Sequence, residues 1–566
     1  VTESIGSAPS YVVGTSDDAL LGETIGACLD RVARSHPHHD ALVSRHQNIR
    51  WTWQELHERA DRVACSLLRA GLDVGDRIGI WAPNCAEWLL MQLGAAKAGL
   101  ILVTINPAYR RSEVESALNK VSCKALVLAA SFKSSDYLAT INELAPELAA
   151  SVPGALRSAR LPHLRTVIRL GSGETPGMIN FDALLVEPTA AERERLAAIA
   201  AAMQFDDAVN ILFTSGTTGE PKGATLTHHN VVNNAYFTGV ALGLSDRDRV
   251  CIPLPLYHCF GMVAGNLACM THQATIVYPS EGFDAQCVLE AIHAEHCTVL
   301  YGVPTMFIAE LAHPEFTRYD LTSLRTGILG GSPCPVEVMR EVAERMHLPN
   351  VMIGYGMTET SPVSLQTALS DSFERRISTV GRVHPHLEIK IVDGDGHIVA
   401  RNVPGELCVR GYSIMRGYWN DEEKTREVVD AARWMHTGDL ATIDDEGYCK
   451  IVGRSKDVVI RGGENVYPRE IEEFLHRHPS VQDVQCVGVP NAKFGEVVCA
   501  CIIPRPGAQI AEAELRAFCD GEIAHYKVPT YFCFVDQFPM TVTGKIQKFI
   551  LRKDMAALLG LATEAS

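Results

Sequence analysis

The residues most suggestive of chemistry stand in one run, Thr214-Ser215-Gly216-Thr217-Thr218-Gly219-Glu220-Pro221-Lys222-Gly223, directly after an apolar stretch at 209–213. Its three glycines leave backbone N–H groups free to point inward, and its four hydroxyls supply further donors. A loop of this kind can wrap a polyphosphate, as anion-binding nests do. It is not a Walker A loop, because Pro221 stands five residues after Gly216 where that motif requires glycine. An ordinary Gly/Thr surface turn is the alternative for such a segment taken alone. No histidine or cysteine spacing suggests a metal centre. His228 and His229 flank a helix start, and His36, His38 and His39 read as loop.

The elements that must hold this loop follow an α/β rhythm. Thr52 and Glu55 form a capping box, and apolar residues from Leu56 to Leu68 then recur at helical spacing until Gly71. A strand at 77–82, a helix at 85–98, a strand at 100–104, a helix at 113–121 and a strand at 125–129 succeed one another, which predicts a largely parallel sheet with helices packed on it. Similar texture returns over 209–353. Residues 387–410 alternate in short runs broken by Gly and Pro, which predicts a small β subdomain. Residues 190–202 predict a surface helix capped by Thr189 and Glu192. The expected fold is α/β: a large N-terminal domain of α/β layers with that β subdomain, and a small mobile α+β C-terminal domain.

Further segments carry a family resemblance. Together with the loop at 214–223, Tyr355-Gly356-Met357-Thr358-Glu359-Thr360, Gly405-Glu406-Leu407, Thr437-Gly438-Asp439, Gly453-Arg454-Ser455-Lys456-Asp457, 461–468 and Pro539-Met540-Thr541-Val542-Thr543-Gly544-Lys545 follow in order. The chain resembles the adenylate-forming superfamily of acyl-CoA synthetases, peptide-synthetase adenylation domains and luciferases. Gly79-Ile80-Trp81-Ala82-Pro83-Asn84 and Asn106-Pro107-Ala108-Tyr109 resemble the medium-chain acyl-CoA synthetases of the acyl-CoA synthetase family member 2 type. The implied activity is ATP-dependent and AMP-forming: a medium-chain fatty acid becomes an acyl-adenylate, and the acyl group passes to coenzyme A. The implied organisation is an AMP- and acyl-binding domain over 1–452, a hinge at 453–456 and a mobile domain over 457–566.

The resemblance implies a role for each position. Lys545 supplies positive charge between the carboxylate and the α-phosphate, a task suited to a compact ammonium on a flexible stem. Glu359 holds Mg²⁺ on the phosphates, and Thr358 donates to the α-phosphate. Thr214, Ser215, Gly216, Thr217, Thr218, Gly219 and Lys222 cradle the phosphates. Tyr355 and Gly356, with the wall Gly330-Gly331-Ser332, receive the adenine. Asp439 accepts from the ribose diol and Arg454 contacts ribose or phosphate. Lys456 is the pivot, at a position where many relatives carry Asp. Gly462 and Gly463 let the pantetheine arm pass. His258 either positions the acid, gates an acyl tunnel, or is a packed, hydrogen-bonded histidine. Lys548 reads as surface or phosphate-adjacent.

Composition bounds the remainder. The 566 residues exceed one core, and the net charge of −16 speaks against a nucleic-acid binder. No apolar run is long enough to span a membrane. The 17 cysteines form no CxxC pair and read as reduced core thiols, which with the absence of a leader pattern gives a cytoplasmic expectation. The expected partners are a small carboxylic acid, ATP and CoA. The rival functions are a fatty acyl-AMP ligase serving a carrier protein and a non-catalytic nucleotide-binding protein.

Overall fold

The structure, a computed structural model, describes residues 8–214, 221–462, 464–491, 493–541 and 544–561. Ser215, Gly216, Thr217, Thr218, Gly219 and Gly463 of the sequence expectations lie outside the described residues.

Two large sheets share one core. A nine-stranded sheet is parallel through its centre, where Val299–Gly302, Thr326–Gly330 and Asn350–Gly356 lie side by side. An eight-stranded sheet has Arg77–Trp81, Ile101–Thr104 and Ala125–Leu128 as parallel neighbours, and Ala208–Thr214 turns back antiparallel on Lys222–Thr227. Helix Trp53–Arg69 packs on the edge strands of the first sheet, and helix Ala86–Lys97 joins it to the second. The latter helix is buried on nearly every side, which is why its apolar residues show no stripe.

Local expectations translate directly. Thr52 and Glu55 make their reciprocal cap, Gly71 takes φ 86° after the helix, and Thr189–Glu192 caps the exposed helix Ala190–Ala202. Leu387–Val392 and Gly405–Gly411 pair antiparallel within a separate five-stranded sheet. The fold is thus mixed α/β, with a large N-terminal domain and a smaller C-terminal one.

The C-terminal domain is built on the long hairpin Val481–Asn491 and Gly495–Pro504. Period-two alternation sends Val498, Ala500 and Ile502 to one face and Val497, Cys499 and Cys501 to the other. Helices Pro468–Leu475 and Glu512–Cys519 cover the first face, and Lys548–Leu558 covers the second. All 17 cysteines are free thiols, and only Cys287 is not buried. No helix among the described residues is long and apolar enough to cross a membrane.

Candidate active site

The site forms beyond the carboxyl ends of the parallel strands, where open α/β sheets commonly bind ligands. Gly330 pairs with Gly354 in the ladder, and a Cβ on Gly330 would stand 2.7 Å from the Gly354 carbonyl oxygen. This backbone approach tolerates only hydrogen. Gly331 follows at φ 81°, and its open side faces the Cε of Lys545, 3.5 Å from where a Cβ would be.

Lys545 arrives from the C-terminal domain on a tight turn. Its N–H donates to Thr541 Oγ1 at 3.1 Å, and its carbonyl accepts the Thr541 N–H at 2.8 Å. Gly544, at φ 77°, makes the corner and lies against Thr305 and Val303 of the large domain. Burial pushes the Lys545 pKa down, and Arg454 pushes the same way; Cys259, Glu359 and Asp439 oppose them. The lysine is therefore within the electrostatic reach of groups from four separate segments.

His258 is half-buried beside it. Burial, then the Lys545 charge, holds its imidazole down to about 3, so the ring is neutral. Its Nδ1 accepts the Phe260 N–H at 3.2 Å, which leaves the proton on Nε2. The next residue, Cys259, places Sγ 3.5 Å from Thr358 Oγ1. Thr358 opens a single 3-10 turn, Thr358–Thr360.

Glu359 is 5% exposed, and its Oε1 accepts from Tyr418 Oη at 2.8 Å and Thr214 Oγ1 at 3.3 Å. Thr214 and Lys222 face one another in the ladder on either side of positions 215–220, and the Lys222 ammonium sits 5.2 Å above the Tyr418 ring. Sequence reasoning missed Tyr418. It belongs to the two-residue strand Gly417–Tyr418, which joins Lys222–Thr227 from nearly two hundred positions away, and no local periodicity announces such a pairing.

On the other side of the site, Asp439 and Arg454 are cross-strand partners. Arg454 Nε donates to Asp439 Oδ1 at 3.0 Å, and Tyr355 Oη donates to Oδ2 at 2.7 Å. Burial and the Asp439 carboxylate raise the Tyr355 phenol well above its usual range, so it remains a donor.

Some expected residues stand apart. Lys456 is exposed in the short turn Ser455–Asp457. Gly462, at φ 61°, turns the hairpin of Val459–Arg461 and Glu464–Val466, and its N–H donates to the Phe494 carbonyl at 2.8 Å. Ser332 is half-buried just past the wall. Lys548 corrects the surface reading: its ammonium is paired with the buried carboxylate of Glu472 at 2.5 Å, at the start of the last helix.

Comparison with known proteins gives a consistent relationship. Residues 29–419 match the family described as AMP-binding enzyme, and 470–545 match the AMP-binding enzyme C-terminal domain. A Danio rerio protein named medium-chain acyl-CoA ligase ACSF2, mitochondrial, is 48% identical over 555 residues, covering 98% of this chain and 91% of the relative. The Bacillus subtilis (strain 168) protein YngI is 46% identical over 545 residues, covering 96% of this chain and 99% of that one. The anthranilate CoA ligase AuaEII, solved in complex with anthranoyl-AMP, superposes with a TM-score of 0.84 at 26% identity, covering 96% of this chain and 99% of its own. The cytoplasmic expectation is overturned: several of the animal relatives are mitochondrial proteins by name, which conflicts with a plain cytoplasmic assignment.

Proposed function

The chain belongs to the AMP-binding enzyme family, and from that premise we propose that it is an ATP-dependent, AMP-forming ligase that joins a medium-chain fatty acid to coenzyme A. The observation that carries the reading is the seating of Lys545 against Gly331, in the company of His258, Glu359, Asp439 and Arg454.

A carboxylate is a poor electrophile, and its approach to the α-phosphorus of ATP brings two anions together. Lys545 offsets that repulsion. The arriving charges favour its ammonium form against the burial that opposes it. The carboxylate oxygen bonds to the α-phosphorus as pyrophosphate leaves in line. Thr358, Thr214 and Lys222 lie where hydroxyl and ammonium donors can meet phosphate oxygens. Asp439 takes the ribose hydroxyls, and Tyr355 lies beside the adenine wall of Gly330 and Gly331. Neutral His258 offers its Nε2–H for orienting the acid.

Glu359 fits Mg²⁺: one buried carboxylate flanked by hydroxyls suits a hard cation that keeps its waters and takes its remaining oxygens from phosphate. When bound, the ion supplies positive charge at the departing pyrophosphate.

In the second half-reaction the CoA sulfur bonds to the acyl carbon and AMP leaves. Lys545 must first withdraw, and the C-terminal domain, pivoting near 453–456, exchanges it for the hairpin that carries Gly462. Mixing the protein with ATP, Mg²⁺, CoA and acids of increasing chain length, and measuring AMP and acyl-CoA, tests the proposal. Both products should form, with a maximum at medium chain length and loss of both in Lys545→Ala. Pyrophosphate exchange without acyl-CoA would indicate another acceptor, and neither reaction with any acid would overturn the proposal.

A further inference from the structure

The outer face of the five-stranded antiparallel sheet carries a cluster that acyl activation does not use. Glu406 and Cys408 are two positions apart on Gly405–Gly411, so both side chains leave the same face. His436, on Met435–Ile443, lies directly across the ladder from Cys408. Its Nδ1 is 2.9 Å from Glu406 Oε2 and 3.5 Å from Cys408 Sγ. One donor atom from each of the three falls within 4.8 Å of the others.

Two further features resemble a metal site rather than a chance contact. The second imidazole nitrogen, Nε2, faces the Asp430 carboxylate at 3.9 Å. That distance is longer than a hydrogen bond, but a carboxylate beside the far nitrogen is the kind of partner that orients a metal-ligating histidine when it closes in. Cys408 forms the buried floor, whereas Glu406 and His436 are half-buried at the rim, which leaves an approach from solvent. Lys390, opposite Cys408 in the other ladder, places its ammonium 4.6 Å over the Trp434 ring.

We propose that Glu406, Cys408 and His436 form a binding site for one borderline-soft divalent cation of the Zn²⁺ class. Thiolate, imidazole and carboxylate are the donors such an ion takes, whereas a hard cation such as Mg²⁺ selects oxygen alone. On binding, the Cys408 thiol releases its proton to solvent and the sulfur bonds to the ion. The proton that His436 Nδ1 donates to Glu406 in the free site leaves to solvent as Nε2 takes one up on the Asp430 side, the freed Nδ1 lone pair bonds to the ion, and water completes the shell. The other oxygen of Glu406 accepts the Gly438 N–H at 3.1 Å, one residue before Asp439. The site and the ribose-binding turn therefore share a carboxylate.

The test is titration of the metal-stripped full-length protein with Co²⁺, read by the thiolate-to-cobalt charge-transfer absorption. One equivalent should generate the band and Zn²⁺ should remove it. Cys408→Ser and His436→Gln should each abolish it, and Cys287→Ser, at the one cysteine that is not buried, should leave it intact. Asp430→Asn should weaken Co²⁺ binding about 10- to 100-fold. Because Cys408 is buried, unchanged thermal unfolding of His436→Gln, altered only at the rim, shows that loss of the band is not loss of the fold. A wild-type protein with no thiolate band, or a band that survives in both Cys408→Ser and His436→Gln, overturns the proposal.

Discussion

Gly544→Ala offers a direct probe of how the two halves of the reaction divide the protein. A Cβ on Gly544 would stand 2.7 Å from Thr305 Oγ1 and 3.0 Å from Val303 Cγ2, both in the large domain. The residue also sits at φ 77°, where an L side chain costs about 1–2 kcal/mol. That conformational cost belongs to the turn itself and persists wherever the C-terminal domain goes. The steric cost exists only while the Lys545 turn is docked. Overpacking of this kind costs about 1–3 kcal/mol, which is roughly a 5- to 150-fold loss in rate. Pyrophosphate exchange, which needs the docked turn, should fall by that factor. Thioester formation from supplied acyl-adenylate should fall much less. Adding Thr305→Ala removes the nearer obstruction and should recover part of the exchange rate. Gly560→Ala, at φ 64° with nothing near its would-be Cβ, controls for backbone strain alone. Equal loss in both half-reactions, with no recovery in the double variant, would refute the argument that docking is specific to adenylation.

Other outcomes follow from single contacts. Tyr418→Phe removes a 2.8 Å donor to Glu359. Since hydrogen bonds to charged groups are worth about 1.5–3 kcal/mol, pyrophosphate exchange should drop roughly tenfold or more; unchanged exchange would remove Tyr418 from the site. Lys545→Ala should abolish adenylation yet spare thioester formation from supplied acyl-adenylate, and equal loss of both would assign the lysine a structural role. Burial holds buried His384 down to about 3, so the unfolded chain binds its proton first as pH falls below about 6.5. The native state then loses about 1.4 kcal/mol per pH unit, or about 2 kcal/mol by pH 5. Denaturation of His384→Gln followed from pH 7 to pH 5 should show a shallower decline than wild type; parallel curves would remove His384 as a source of the acid sensitivity.

Much of this arrangement is legible in the sequence where the cause is local. Thr52 and Glu55 declare their cap because both partners lie within one helical turn. In the C-terminal hairpin the second strand reads as apolar without interruption over 497–503 because both of its faces are covered. Asp439 and Arg454 sit in recognisable short motifs, and the antiparallel register then brings them together. What escaped has distant causes. Tyr418 gains its meaning only when a two-residue strand finds an edge of the eight-stranded sheet. Lys548 looks like any helix-start lysine until Glu472 is folded against it. The π-helix Phe260–Leu267 after His258 cannot be told from an apolar α-helix by composition.

The two-sided core of the C-terminal domain has a mechanical consequence. Each face of its sheet is already sealed by its own helices, so the pivoting proposed above would leave its interior covered. What opposes rotation includes the Lys545 turn and partly exposed ion pairs such as Arg505–Glu341 and Lys450–Glu473. Pairs of that sort contribute only about 0–1 kcal/mol each and weaken in salt. The joint thus resembles a lightly sprung latch on a stiff door, one that the occupant of the doorway, rather than the door, is able to set.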